Sequence, residues 1–248
     1  MPDSLIRFSG ATHVGLKRER NEDSYLLRPE AGLWAVADGM GGHGGGDVAS
    51  QMAISALERI AAAPTGETLL AAVEAAIADA NLDMRAYARA ENRGVIGTTL
   101  VALLMFGEHF ACLWCGDSRA YRLRAGALRQ LTRDHSESQD LVDRGVLDPE
   151  EAKVWPRRNV LTRALGVSDA AELEIVSDRL AAGDVFLLCS DGLTGHLDEA
   201  DIAAALGEAD PQAACGRLIA LTLERGASDN VTVVVLAVPS PRAAAPAR

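Results

Sequence analysis

The run Leu33-Trp34-Ala35-Val36-Ala37-Asp38-Gly39, continued by Met40-Gly41-Gly42-His43-Gly44-Gly45-Gly46, decides how the chain is read. Five apolar residues closed by an Asp-Gly turn pair have the length and composition of a buried strand. The glycines separate that strand from helical patterning. Val48, Met52, Leu57 and Ile60 roughly hold one face of a first helix. Beyond the break Pro64-Thr65-Gly66, a second helix carries Leu69, Val73, Ile77, Ala80, Met84 and Tyr87.

Downstream, Gly97-Thr98-Thr99 opens an apolar and β-branched run to Phe106, followed by apolar runs at 109–115 and 119–124 with Gly107-Glu108 and Gly116-Asp117 between them. Such spacing predicts an antiparallel meander. Residues 132–165 are polar, charged and irregular, with Pro149 and Pro156, and read as an excursion from the scaffold. Strands around 173–177 and 185–189, helices around 201–206 and 211–225, and a strand at 231–238 complete the order. Strands clustered between two helix pairs predict an α+β fold in which helices cover antiparallel sheets, in place of a doubly wound parallel sheet. Residues 1–238 are then one domain, and the tail 239–248, PSPRAAAPAR, is expected to be disordered.

With 248 residues, 48% of them hydrophobic, the chain is long enough for a sizeable core. Its 24 Lys and Arg against 35 Asp and Glu leave a formal charge of -11, which opposes nucleic acid and anionic membrane surfaces. Apolar runs fall far short of the ~20 residues that span a bilayer, and residues 1–10 hold no signal-peptide core. The expectation is a cytoplasmic protein with no nucleic-acid or membrane partner. Four cysteines inside apolar segments read as reduced core thiols. Cys112 and Cys115 form C-x-x-C, but on a strand an offset of three sends the two side chains to opposite faces, against a zinc or redox pair.

Carboxylates cluster where apolar strands end: Glu22 and Asp23, Asp38 after LWAVA, Asp191 after VFLLC, and Asp229 before VTVVV, with Asp117 between two strands. Each site alone is an ordinary turn. Brought together, the charges need compensation, and an all-oxygen set without a Cys/His cluster selects hard cations such as Mg2+ or Mn2+. The glycines also satisfy G-x-G-x-x-G at Gly39, Gly41 and Gly44, with Glu58 downstream, which alone permits a dinucleotide-binding loop. Against that reading, Asp38 would set a carboxylate beside a pyrophosphate, and Glu58 falls within helical patterning. A tight backbone around a cation held by Asp38 and the Gly39 carbonyl uses the glycines better.

Seven motifs in order, Arg18-Glu19-Arg20-Asn21-Glu22-Asp23, Ala37 to His43, Gly97-Thr98-Thr99, Gly116-Asp117-Ser118-Arg119, Leu131-Thr132 with Asp134-His135-Ser136, Ser190-Asp191-Gly192 and Ser228-Asp229-Asn230-Val231-Thr232, resemble the bacterial metal-dependent protein phosphatases of type 2C. The resemblance implies a four-layer sandwich, two antiparallel sheets face to face with a helix pair outside each. It implies hydrolysis of phosphoserine and phosphothreonine in proteins, a serine/threonine kinase among them, by a monomer that uses a hydroxide bridging two metals. Glu22, Asp23, Asp38, Asp191, Asp229 and the Gly39 carbonyl match the dinuclear Mn2+ or Mg2+ centre, with Asp38 bridging. Asp117 and Asp191 match a third-metal position, Arg18 matches the phosphate-binding arginine, and residues 132–165 match a flap. Animal members carry a His directly after the Asp-Gly; Met40 stands there, so His43 is the candidate general acid, and His135 either anchors the flap or joins the chemistry. Two other readings stay open: a catalytically inactive phosphoprotein-binding regulator, and a dinucleotide-dependent enzyme.

Overall fold

The strand Leu33–Gly41 (β3) points Leu33, Ala35 and Ala37 into one hydrophobic layer and Trp34 and Val36 into another. Both faces of such a strand are buried, which explains a continuous apolar run with no polar alternation. The protein is described from a computed structural model, which covers residues 6–41, 45–208 and 210–240. His43 and the tail beyond Ser240 lie outside the described residues.

Before β3 come β1 (Arg7–His13) and β2 (Asp23–Arg28); after it come α1 (Gly46–Glu58) and α2 (Gly66–Ala90). Next are β4 (Ile96–Thr98), β5 (Leu100–Phe106), β6 (His109–Cys115), β7 (Arg119–Arg124) and β8 (Ala127–Gln130). Two short helices, α3 (Glu137–Asp143) and α4 (Pro149–Lys153), lie in the excursion. β9 (Glu174–Arg179), β10 (Val185–Cys189), α5 (Asp191–Thr194), α6 (Glu199–Leu206), α7 (Pro211–Glu224) and β11 (Val231–Ala237) follow. One sheet has the order β1-β11-β10-β7-β8 and the other β2-β3-β5-β6-β9, with β4 on the end of β3. Every strand pairing in both is antiparallel.

Three apolar layers join these elements. Leu33, Ala35, Leu100, Ala102 and Leu113 meet α1 and α2 through Ala49, Ala53, Leu57, Leu69, Val73 and Ile77. Trp34, Val101, Leu103 and Phe110 meet Phe186, Leu188, Val234 and Leu236 between the sheets. Leu187, Val231, Val233 and Val235 meet Ile202, Leu206, Ala214 and Leu218 of α6 and α7. Helix pair, sheet, sheet and helix pair are the expected four-layer α+β sandwich.

Two local expectations are corrected, and three strands had no apolar run to mark them. The meander stops at β6: Gly116, at φ 108°, turns the chain out of its sheet, and β7 pairs with β10 and β8 in the other. A short turn reads the same in sequence whether the chain stays in its sheet or changes sheets. The buried face of α1 is Ala49, Ser50, Ala53, Ala56 and Leu57, with Val48 and Met52 only partly covered, because small residues let the helix approach the alanines of β3. The strands β1, β2 and β8 lack a continuous apolar run because they form sheet edges, where half of the surface faces water. By contrast, α2 buries Leu69, Val73, Ile77, Ala80 and Met84 as its spacing predicts, and Thr65 caps it.

All four cysteines are free and buried, and Cys112 and Cys115 face opposite layers. Among the described residues no helix is long and apolar enough to cross a membrane. The strand ending in Asp38-Gly39 does not open a dinucleotide fold, because among the described residues β3 has antiparallel neighbours alone, whereas that fingerprint belongs to a parallel βαβ unit.

Phe186 is fully buried between the sheets and meets Phe110 edge-on at 4.9 Å between ring centres. Phe186→Ala should cost about 3–5 kcal/mol in chemical denaturation. Leu82→Ala, on the exposed side of α2, should cost under about 0.5 kcal/mol. Similar losses for the two would contradict the layer assignment.

Candidate metal centre

Antiparallel pairing of β2 with β3 sets Asp23 directly opposite Asp38. The turn between β6 and β7 carries Asp117, the end of β10 leads into Asp191, and Asp229 precedes β11. Five chain segments therefore deliver their acids to one end of the sandwich. Of these acids Asp23 is buried, while Glu22, Asp38, Asp117, Asp191 and Asp229 keep partial access to solvent.

Burial pushes the Asp38 carboxyl well above the usual carboxylate range, and Asp23, Asp191, Asp117 and Asp229 push it further in that order. Asp117 is raised by burial and then by Asp191, and Asp191 by burial and then by Asp229. The Asp23 carboxyl is pushed up to about 6, burial outweighing the hydroxyls of Thr232 and Ser190 that favour its charge. For Glu22 the causes of a rise are burial and then Asp47 in the first turn of α1. Asp47 had no place in the sequence reading, since only the packing of α1 on β2 brings it near.

Hydrogen bonds hold these groups in place. Ser190 Oγ donates to Asp23 Oδ2 at 2.8 Å and accepts from the Thr232 amide at 3.0 Å. The Asp38 amide donates to Thr99 Oγ1 at 3.1 Å, while its carbonyl accepts from Thr99 N at 2.8 Å and Thr98 Oγ1 at 2.9 Å. Thr99 Oγ1 in turn lies 2.7 Å from Ser118 Oγ, beside Asp117. Asn230 accepts from the Glu22 amide at 2.8 Å and donates to the carbonyls of Val14 at 2.8 Å and Arg20 at 2.9 Å. Ser190, Thr98, Thr99 and Asn230 all stood inside quoted motifs, but spacing assigns a role to acids and leaves their partners silent.

Gly39 is packed against Gly46, and a Cβ on either would collide with backbone of the other. A Cβ on Gly46 would also fall 2.8 Å from the Glu22 carboxylate. Gly39 and Gly46 thus serve close approach of backbone to backbone and to an acidic side chain, and Met40 pairs with Gly97 across β3 and β4.

Arg18 is exposed and forks onto Asp229, Nε to Oδ1 at 2.8 Å and Nη2 to Oδ2 at 2.7 Å. The acids lie within electrostatic reach but are not drawn together: among the described residues no three His, Cys, Asp or Glu side chains form a ready metal-holding group. Their chemistry nevertheless fits hard cations. The donors are oxygens, the acids raise one another, and the buried Asp23 Oδ1 has no hydrogen-bond partner.

His135 is tied to the root of the excursion. Its Nδ1 accepts the Gly116 amide at 3.1 Å while its own amide donates to the Gly116 carbonyl at 3.0 Å. Trp114 stacks on the ring, and Arg119 forks onto Asp134. At the other root Leu165 forms an isolated antiparallel bridge with Thr98. Both roots thus meet the segments that orient Asp117 and Asp38.

Residues 10–214 match the protein phosphatase 2C family. The serine/threonine protein phosphatase PstP of Mycobacterium tuberculosis is 41% identical over 232 residues, which are 93% of this chain and 45% of that one, so the chain spans about half of that relative's length. The serine/threonine phosphatase stp of Listeria innocua is 35% identical over 91% of this chain and 93% of its own. The PstP catalytic domain solved with two manganese ions superposes with a TM-score of 0.86 at 40% identity, over 95% of this chain and 99% of that one. With the motifs, the four layers and these similarities in agreement, the chain belongs to the protein phosphatase 2C family, in its bacterial form.

Proposed function

We propose that the chain is a metal-dependent phosphatase that removes phosphate from phosphoserine and phosphothreonine in proteins. The observation that carries this reading is Asp38, half-buried within coulombic reach of Asp23, Asp117, Asp191 and Asp229. Glu22, Asp23, Asp38, the Gly39 carbonyl, Asp191 and Asp229 would hold two Mn2+ or Mg2+ ions, with Asp38 between them, and Asp117 with Asp191 would serve a third. The two manganese ions in the related PstP catalytic domain support that choice of metal. When bound, such cations lower the pKa of water and offset charge that develops on a phosphoryl group.

The chain's own residues supply orientation. Arg18 spends two of its five N–H donors on Asp229 and keeps the others toward solvent, so it can receive phosphoryl oxygens while it remains anchored. Its charge stands at the mouth of an acidic cluster, where it offsets repulsion between substrate dianion and carboxylates. Thr98 and Thr99 fix the Asp38 backbone, and Ser190 fixes Asp23. The general acid is assigned to His43, which lies outside the described residues, with solvent as the alternative proton source.

None of these ligands lies in residues 132–165, so the excursion is assigned to recognition of phosphoproteins, a serine/threonine kinase among them. Its base is held by polar contacts: Arg157 pairs with Glu137 at 2.7 Å, and Trp155 Nε1 donates to Glu137 Oε1 at 3.2 Å. Val146 and Val154 are left exposed. All the acids come from one chain, which suffices as a monomer. Buried free thiols fit a cytoplasmic location.

Phosphate release from a phosphothreonine peptide should require Mn2+ or Mg2+ and stop in excess chelator while circular dichroism shows an intact fold. Turnover that survives chelation would overturn the reading. Asp38→Asn should lower kcat by about a hundredfold or more, whereas Arg18→Ala should mainly raise KM.

Asp38→Asn also removes one of several repelling charges. In chelator its Tm should rise by about 2–4 °C, the equivalent of roughly 1 kcal/mol for a chain of this size. An unchanged or lower Tm would show that the acids do not strain the metal-free fold.

Exchange of residues 139–153 for a Gly/Ser linker leaves both roots of the excursion in place. It should alter turnover of phosphoproteins selectively, with aryl phosphate hydrolysis close to wild type. Equal loss on every substrate would assign the excursion to the chemistry instead.

A further inference from the structure

His196 follows α5 and belongs to none of the motifs that carry the acids, yet both of its ring nitrogens are committed. The Ser228 amide donates to Nε2 at 3.2 Å, and Ser228 Oγ lies 3.3 Å from the same atom. A nitrogen that accepts a backbone N–H carries no proton, so the neutral ring bears its proton on Nδ1. Nδ1 then donates to the Gly192 carbonyl at 3.0 Å. Gly192 directly follows Asp191, and Ser228 directly precedes Asp229. One imidazole therefore spans the two segments that deliver those acids.

The span is held from outside as well. Arg225 Nη1 donates to the His196 carbonyl at 2.9 Å while the same guanidinium forks onto Asp201 of α6 at 2.6 and 2.8 Å. The two segments also touch directly, since a Cβ on Gly192 would collide with the Asn230 carbonyl. The clasp thus joins two segments whose acids, Asp191 and Asp229, carry like charge.

We propose that His196 is a positioning residue for the metal centre, which sets the spacing of Asp191 and Asp229 by bridging Gly192 and Ser228. The proposal rests on the reading of those two acids as ligands. Its consequence falls on metal affinity: without the bridge the acids relax away from one another, and the cation must pull them back.

The test uses the full chain with Mn2+ as probe, followed by electron paramagnetic resonance of free Mn2+ and by the Mn2+-induced rise in Tm. His196→Leu should weaken Mn2+ binding about tenfold, in the range seen when groups that orient metal ligands are removed. His196→Gln, whose amide offers both a donor and an acceptor, should restore most of the affinity. The Mn2+ concentration for half-maximal turnover should rise in His196→Leu by the same factor. Unchanged Mn2+ affinity in His196→Leu, with only a lower metal-free Tm, would overturn the proposal and leave a surface contact. Equal weakening in the Leu and Gln variants would overturn it too.

Hydrogen exchange at the Ser228 amide in the unsubstituted chain gives a second readout that does not depend on a variant folding. Slow exchange, slowed again by Mn2+, is expected; exchange at the rate of an open loop would overturn the bridge. Asp229→Ala separates the two levels of the argument. If it binds Mn2+ as tightly as the wild type, the ligand reading itself fails, whatever His196 does.

Discussion

Repulsion among carboxylates at one end of the sandwich is the constraint that the rest of the structure answers. Burial and then neighbouring carboxylates push Asp23, Asp38, Asp117 and Asp191 toward protonation, so folding brings together groups that prefer to be apart. The opposing force is the three apolar layers. Burial of a single Leu, Val or Phe side chain contributes roughly 1.5–3 kcal/mol, and dozens of such side chains are buried. The stack of two sheets has no freedom to splay at the acidic end without opening Val36, Trp114 and Leu188 to water. Strain at the site is tolerated because the core lies elsewhere.

Polar side chains translate that rigidity into positions. Asn230 joins β11 to the loop before β2, Ser190 joins β10 to Asp23, and Thr99 joins β3 to the turn at Ser118. These residues carry no charge and so add none to the repulsion. The excursion enters beside Asp117 and leaves beside Thr98, which places its two roots within one hydrogen bond of the backbone that carries the acids.

Much of this was legible in the chain. Strands buried on both faces announce themselves as continuous apolar runs, and Asp38, Asp191 and Asp229 stand at the ends of three of them. The Cys112 and Cys115 faces followed from strand geometry alone. What was not legible has two physical causes. Edge strands such as β1 and β2 are half exposed and carry a mixed pattern, so no strand was read around Asp23 although the acid itself was singled out. Side-chain partnerships depend on distant segments: the fork of Arg18 on Asp229 and the two bonds of His196 join residues that no local period relates. The change of sheet at Gly116 is of the same kind, since a turn does not encode its destination.

The position of β11 in its sheet has a consequence for how the molecule comes into being. This strand lies between β1 and β10, pairing Arg7 with Ala237 and Val185 with the same residue on its other edge. While the ribosome is still short of Ala237, β1 has no partner and two of the acidic segments have nothing to meet. A nascent chain therefore exposes the sheet-facing side of β10 until its final strand emerges, and the pairing of such remote segments is intrinsically slow. The acidic end is therefore assembled late and all at once, when β11 seats between β1 and β10.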